Sequence, residues 1–123
     1  MAKDLGKTST GIEPNVAALL SYVVGWVTGL IFFLIEKDNK FVRFHALQSI
    51  IVFGGLTAAM IILSILLSIF FMVHLYFFFP LFRLINLLLW LLGLILWIVL
   101  MIKAYQGEYF KVPIAGDIAD KKK

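Results

Sequence analysis

FHALQSIIVFGGLTAAMIILSILLSIFFMVHLYFFFPLF, residues 44–82, is a run of 39 residues without a single Asp, Glu, Lys or Arg, and only His45 and His74 interrupt it. A chain of 123 residues cannot hide such a run from water, because small domains leave a large share of their surface exposed. As one helix it would reach ~58 Å at 1.5 Å per residue. That is too long for one crossing of a ~30 Å hydrocarbon core and too short for two with a turn. The run therefore reads as one long span followed by a hydrophobic stretch lying along the membrane interface.

Working outward, two shorter charge-free runs flank it, 22 residues between Glu13 and Glu36 and 19 between Arg83 and Lys103. Each suits one crossing by about 20 helical residues. The composition agrees: 63% of the chain is hydrophobic and 15% charged, against about 45–50% and about 25% in soluble domains. The expected fold is an all-α membrane protein with three transmembrane helices in an antiparallel bundle and an aromatic interfacial segment between helices two and three. The spans fall at about 15–35, 44–71 and 81–104, within a domain covering 15–106. Residues 1–14 read as a polar tail and 107–123 as an interfacial, then solvated, tail. The first apolar segment exceeds the 7–15-residue core of a signal peptide, and a polar turn follows it instead of a cleavage site. It reads as a retained helix.

Local signals refine this picture. Glu13-Pro14-Asn15 is a helix entry, with proline in the first turn. Ala17, Ser21, Gly25 and Gly29 recur every four residues, a small-residue face that lets another backbone approach closely. Gly54 and Gly55 with Ala58 form a second such face, and the glycine pair invites a bend. Asn86, the one polar residue of the third span, reads as interhelical glue. Met72 to Pro80 is dense in aromatics, which favour the interface, and Gly107 is a helix C-cap.

The residues that carry chemistry are sparse. There is no cysteine, and no acid or base falls well inside a span, where proton relays and ion paths usually place one. His45 and His74 sit at opposite faces in this topology, so they cannot share a metal. No hydrolase, metalloprotease or phosphate-loop motif is found. The expectation is a non-enzyme with no catalytic, cofactor-binding or metal residue and no cofactor. Without a basic patch on a soluble module, nucleic acid is not an expected partner. What remains is a polar collar from Glu36 to Gln48. Within it, Arg43, His45 and Gln48 are the candidate recognition residues for anionic lipid headgroups or a partner protein, and the small-residue faces point to self-association or to other membrane proteins. With three spans, eight Lys and Arg share the side of the first turn and the C-terminus, and three share the other. The positive-inside rule then puts this multi-pass protein in the cell membrane with its N-terminus outside and its C-terminus cytoplasmic.

Three blocks carry a family resemblance: Gly-Ile-Glu-Pro-Asn-Val-Ala-Ala-Leu-Leu-Ser-Tyr (11–22), Ile-Glu-Lys-Asp-Asn-Lys-Phe-Val-Arg-Phe-His-Ala-Leu-Gln-Ser (35–49) and Tyr-Gln-Gly-Glu-Tyr-Phe-Lys-Val-Pro (105–113). They resemble a family of small, uncharacterised prokaryotic membrane proteins over nearly the whole chain. A more distant likeness, through Phe41-Val42-Arg43-Phe44-x-Ala46-x-Gln48, is to the twenty-kilodalton inner-envelope subunit of the chloroplast protein-import translocon. That subunit carries four helices where this chain has room for three, and these spans offer no continuous polar path. The resemblance implies a membrane fold. The functional expectation is a packing or scaffold subunit, with a channel, transporter or translocon subunit as the alternative.

Overall fold

The computed structural model describes residues 5–123, so the first four residues of the expected tail, with Lys3, lie outside the described residues. The chain is all-helical: α1 (Pro14–Val23), α2 (Trp26–Ile35), α3 (Lys40–Met72), α4 (Phe79–Tyr105) and α5 (Ala115–Lys122), with a 3-10 turn at Tyr76–Phe78 before α4. The helices α3 and α4 are long and apolar enough to cross a membrane, and only 6% of the most apolar stretch of each is buried inside the protein. The core helices of a soluble protein would be covered. These two present their apolar residues outward.

The single helix expected over 15–35 is not there. It is replaced by two ten-residue helices, each ~15 Å long and too short to cross, broken at Val24-Gly25. Gly25 has φ +61°, a conformation that costs an L side chain of the order of 1–3 kcal/mol. The backbone groups freed by the break find partners. Ser49 Oγ donates to Gly25 O at 2.8 Å, Trp97 Nε1 to Tyr22 O at 2.8 Å and Thr28 Oγ1 to Ser21 O at 3.1 Å, while Val24 N donates to Thr28 Oγ1 at 3.1 Å. Such satisfaction is obligatory where no water competes, since an orphan group in hydrocarbon costs several kcal/mol. The hydroxyl and indole side chains therefore make the break tolerable.

Beyond the break the chain reverses. Ala17 of α1 packs with Phe32 of α2 and with Val42 and Ala46 of α3, so α1 and α2 are the arms of a helical hairpin. The N-terminal segment comes back beside the α2–α3 turn: Ser9 N donates to Glu36 Oε2 at 2.7 Å and Ser9 Oγ to Asp38 Oδ2 at 2.9 Å. Asn15 Nδ2 reaches Tyr105 O at the end of α4, at 3.2 Å. The N-terminal segment, the 36–39 turn and the C-terminal segment thus meet at one end of the molecule. The expected arrangement, with the N-terminus across from the other two, required an unbroken first helix and fails with it.

The other elements stay close to expectation. Asn39 caps α3, its Oδ1 accepting from Val42 N at 3.0 Å, and α3 runs on as helix through Gly54 and Gly55. Pro80 lies in the first turn of α4. Gly107, at φ +79°, ends that helix; its N–H and that of Glu108 bond Ala104 O and Lys103 O, the paired reverse bonds of a Schellman cap. The helix α5 was expected as solvated tail. Instead its small residues Ala115, Gly116 and Ala119 are buried, and α5 packs on α3.

All buried residues of α3 lie between Phe41 and Phe53. The core therefore occupies the hairpin end, where α1, α2, α5 and the last turns of α4 surround the first third of α3. At the far end only α3, α4 and the aromatic turn remain. Phe70 meets Phe82 edge-on at 5.1 Å, and Phe77 stands 87% exposed.

Candidate functional site

The polar residues singled out from the collar do converge, but inward. His45 and Gln48 are wholly buried against Tyr22 of α1 and the extended segment 108–112. His45 Nε2 lies 2.8 Å from Glu108 O. A carbonyl only accepts, so Nε2 carries the proton and Nδ1 is the acceptor. The Tyr22 hydroxyl therefore donates to His45 Nδ1, at 2.6 Å, and is left free to accept from Gln48 Nε2 at 3.0 Å. The same Nε2 group donates to Phe110 O at 2.9 Å, and Gln48 Oε1 accepts from Val112 N at 2.8 Å. One side-chain amide thus pairs with two alternate residues of this 108–112 segment, the strap between α4 and α5, as a neighbouring strand would. Every hydrogen-bonding atom of the His45 ring and of the Gln48 amide is engaged.

This arrangement locks three segments together. Phe41 and Phe44 meet the His45 ring edge-on at 4.7 and 5.0 Å, and Tyr109 covers both phenylalanines. The site has no free polar atom to offer a ligand. His45 and Gln48, expected on a recognition surface, lie in the interior instead; burying them satisfies the backbone of residues 108–112, which an apolar side chain could not do.

Arg43 is also otherwise occupied. Its guanidinium donates to Phe33 O at 3.0 Å and Glu36 O at 2.8 Å and lies over the Phe33 ring at 4.1 Å. It closes the C-terminus of α2, where a cation also suits the helix dipole. No ion pair with Glu36 is formed. The Glu36 carboxylate is buried and accepts from the backbone N–H groups of Ser9, Asp38 and Asn39 through Oε2; its Oε1 has no partner among the described residues. Burial alone would raise its pKa, but these hydrogen bonds outweigh burial and hold it below the ordinary value.

Of the expected packing residues, Ala17 and Ser21 lie buried on α1, and Gly29 on α2. A Cβ at Gly29 would stand 2.9 Å from Ala46 O and from Ser49 Cβ, so here α2 and α3 touch backbone to backbone. Gly25 serves as the break rather than as part of a continuous stripe. Gly54 faces Trp26: a Cβ there would stand 3.8 Å from Trp26 Cβ, an ordinary van der Waals contact. Gly55 has open space around it and Ala58 is exposed. Asn86 is exposed and makes no hydrogen bond among the described residues, so it glues nothing within this chain; it sits where α4 has lost its helical neighbours other than α3. Sequence reasoning missed Tyr22, Trp97 and the strap. Tyr22 sits in a quoted block, yet nothing in its spacing reveals that the chain turns back just after it.

The outer face of the hairpin end is charged and paired. Lys103 meets Glu108 at 3.2 Å, Lys111 meets Asp120 at 3.2 Å and Asp117 at 3.7 Å, and Lys123 meets Asp120 at 2.6 Å. The hydrogen bonds from Lys123 and Lys111 lower the Asp120 pKa, while burial raises that of Tyr109. Among the described residues, no group of three His, Cys, Asp or Glu is placed to hold a metal ion.

Two uncovered apolar helices, a folded-back hairpin and a sealed polar lock define a helical membrane protein whose buried polar groups hold its own segments together. The comparisons agree on the class and give the family. The chain belongs to the magnetosome magnetite crystal formation protein family, whose model matches residues 11–119. It is 46% identical over 117 residues to a UPF0132 membrane protein of Methanocaldococcus jannaschii, covering 95% of this chain and 94% of that one. A UPF0132 membrane protein of Archaeoglobus fulgidus is 40% identical over 111 residues, covering 89% and 95%. No solved structure matches the chain.

Proposed function

We propose that the protein is a non-enzymatic scaffold of the cell membrane that enters the bilayer from the cytoplasmic side, with both ends on that side. In this reading α1 and α2 form a re-entrant hairpin reaching about the midplane, and α3 and α4 are the two crossings. The observation that carries it is the bonding of Ser9 to Glu36 and Asp38, which ties the N-terminal segment to the cation-rich end. Of the eleven Lys and Arg, ten are described once Lys3 is set aside, and nine of these belong to the hairpin end; Arg83 alone marks the other. The positive-inside rule then favours a cytoplasmic hairpin end more strongly than it favoured the three-span layout. From Arg83 to Lys103 is ~30 Å of helix, a match to the hydrocarbon core.

The exposed lysines of this end face anionic headgroups, worth about 1 kcal/mol each near such a surface. Exposed Tyr105, Tyr109 and Phe110 supply the aromatic belt beside them. The family's description names magnetite crystal formation. A membrane scaffold suits that description better than direct iron binding, because the carboxylates of the C-terminal segment are taken by lysines.

The chain has no cysteine, so single-cysteine variants test this cleanly. Thr10→Cys and Lys122→Cys should react with a membrane-impermeant maleimide only from the cytoplasmic side, and Phe77→Cys only from the outside. Labelling of Thr10→Cys from outside overturns the reading. Mild cross-linking in native membranes tests the scaffold role, through recovery of further copies or other membrane proteins.

A second reading, a transport or translocon subunit, draws on one feature. The helix break sits beside an apolar cavity of about 410 Å³ lined by Gly25, Trp26, Phe53, Thr57, Trp90 and Trp97, and broken helices mark the binding sites of many transporters. Solute flux into proteoliposomes is its test.

A further inference from the structure

The two halves of the molecule differ in girth, and in a bilayer that difference has mechanical consequences. At the hairpin end four helices share the cross-section, with α5 and the strap added at headgroup level. Past Phe53 only α3 and α4 continue. Each helix with its side chains is ~10 Å across, so the hairpin adds roughly 150 Å² of area to one leaflet and nothing to the other. Its arms, ~15 Å long, match half of the ~30 Å hydrocarbon core.

The strap enlarges the same side. Pro113 O accepts from Ala115 N at 2.8 Å across Ile114, whose φ is +69°. This is the rare, strained form of the γ-turn, here imposed on a β-branched residue. It leaves Ile114 75% exposed and Ile118 43% exposed, while Ala115 and Ala119 face α3. An apolar edge on an otherwise charged segment is how interfacial helices sink into the headgroup boundary, with an affinity sensitive to curvature.

We propose that this chain is a wedge that senses, and at high density promotes, membrane curvature in which the hairpin-bearing leaflet is convex. The proposal rests on the re-entrant topology given above, and its test separates the two. The full-length protein, fluorescently labelled through Lys122→Cys, is reconstituted into phosphatidylcholine vesicles containing phosphatidylserine and spanning a wide range of sizes. Quenching with an impermeant reagent sorts molecules with the hairpin end outward from those with it inward. Protein per lipid is then read vesicle by vesicle. For the outward population the density rises several-fold from the flattest to the most curved vesicles; for the inward population it falls.

Equal density at all sizes in both populations overturns the wedge. If Thr10→Cys and Lys122→Cys report opposite faces in the same vesicles, the topology fails, and the wedge with it. If they report one face and the density is flat, only the wedge fails. Ser64→Trp with Ser68→Trp adds bulk to exposed positions of the narrow half and should weaken the size dependence. An unchanged dependence in this variant, labelled and folded as the parent, also overturns the proposal.

Discussion

The hairpin end and the aromatic end share the same two apolar helices and hold together in different ways. At the hairpin end, close backbone contact at Gly29 and a sealed set of hydrogen bonds around Tyr22, His45 and Gln48 join four segments. At the aromatic end two helices and a turn meet through rings such as Phe70 and Phe82, and most side chains face outward. Hydrophobicity alone does not make a core in a membrane. Close packing and satisfied polar groups do, because lipid removes the incentive to bury carbon.

The sharpest way to break this contrast is Gly29→Leu. Its Cβ alone would stand 2.9 Å from Ala46 O, a backbone atom that cannot step aside, so overpacking should cost about 3 kcal/mol or more. Unfolding of micelle-bound protein by rising SDS measures it. Gln48→Leu comes next. It strips partners from Phe110 O and Val112 N, and at about 1–3 kcal/mol per buried orphan the strap should release rather than stay. Faster proteolysis beyond Gly107, with α3 and α4 still protected, is the expected signature.

Acid should loosen the N-terminal latch at Glu36. Because the folded pKa is lowered, the contribution is complete above the unfolded value of about 4.3 and disappears as pH falls through the lower folded one. Amide exchange at Ser9 and Asn39 should accelerate in that window, and Glu36→Gln should give the acid behaviour at neutral pH. Ile114→Gly relieves the strained turn and should stabilise the strap by about 1 kcal/mol. The smallest effect belongs to the far half. Gly55→Ala, with open space around it, should stay within about 0.5 kcal/mol. A larger loss there would mean that the two ends are not as different as their packing indicates.

Much of the fold was legible before any coordinate. The 39-residue run and its flanking charges located α3 and α4, and Pro80 and Gly107 marked the two ends of α4. The candidate site was legible only as a list. His45 and Gln48 stood out as polar residues at the start of a greasy helix, which reads equally as a surface for lipid or as a lock for the chain. Apart from the Tyr22 hydroxyl, their partners are backbone carbonyls and an N–H of residues 108–112, which carry no side-chain signature. The small-residue stripe misled in an instructive way. Its four-residue spacing fits one continuous helical face, yet one of its members, Gly25, is where the helix stops.

Hydropathy and charge spacing by themselves marked this chain as a membrane protein and placed its two long apolar helices, because the absence of charge over a length is a property of the chain alone. Whether the first apolar segment is one helix or a broken, folded-back pair was decided only by tertiary structure. A glycine permits both outcomes, and the choice falls to Ser49, Thr28 and Trp97, which supply hydrogen bonds to the broken backbone from places the sequence does not show to be near.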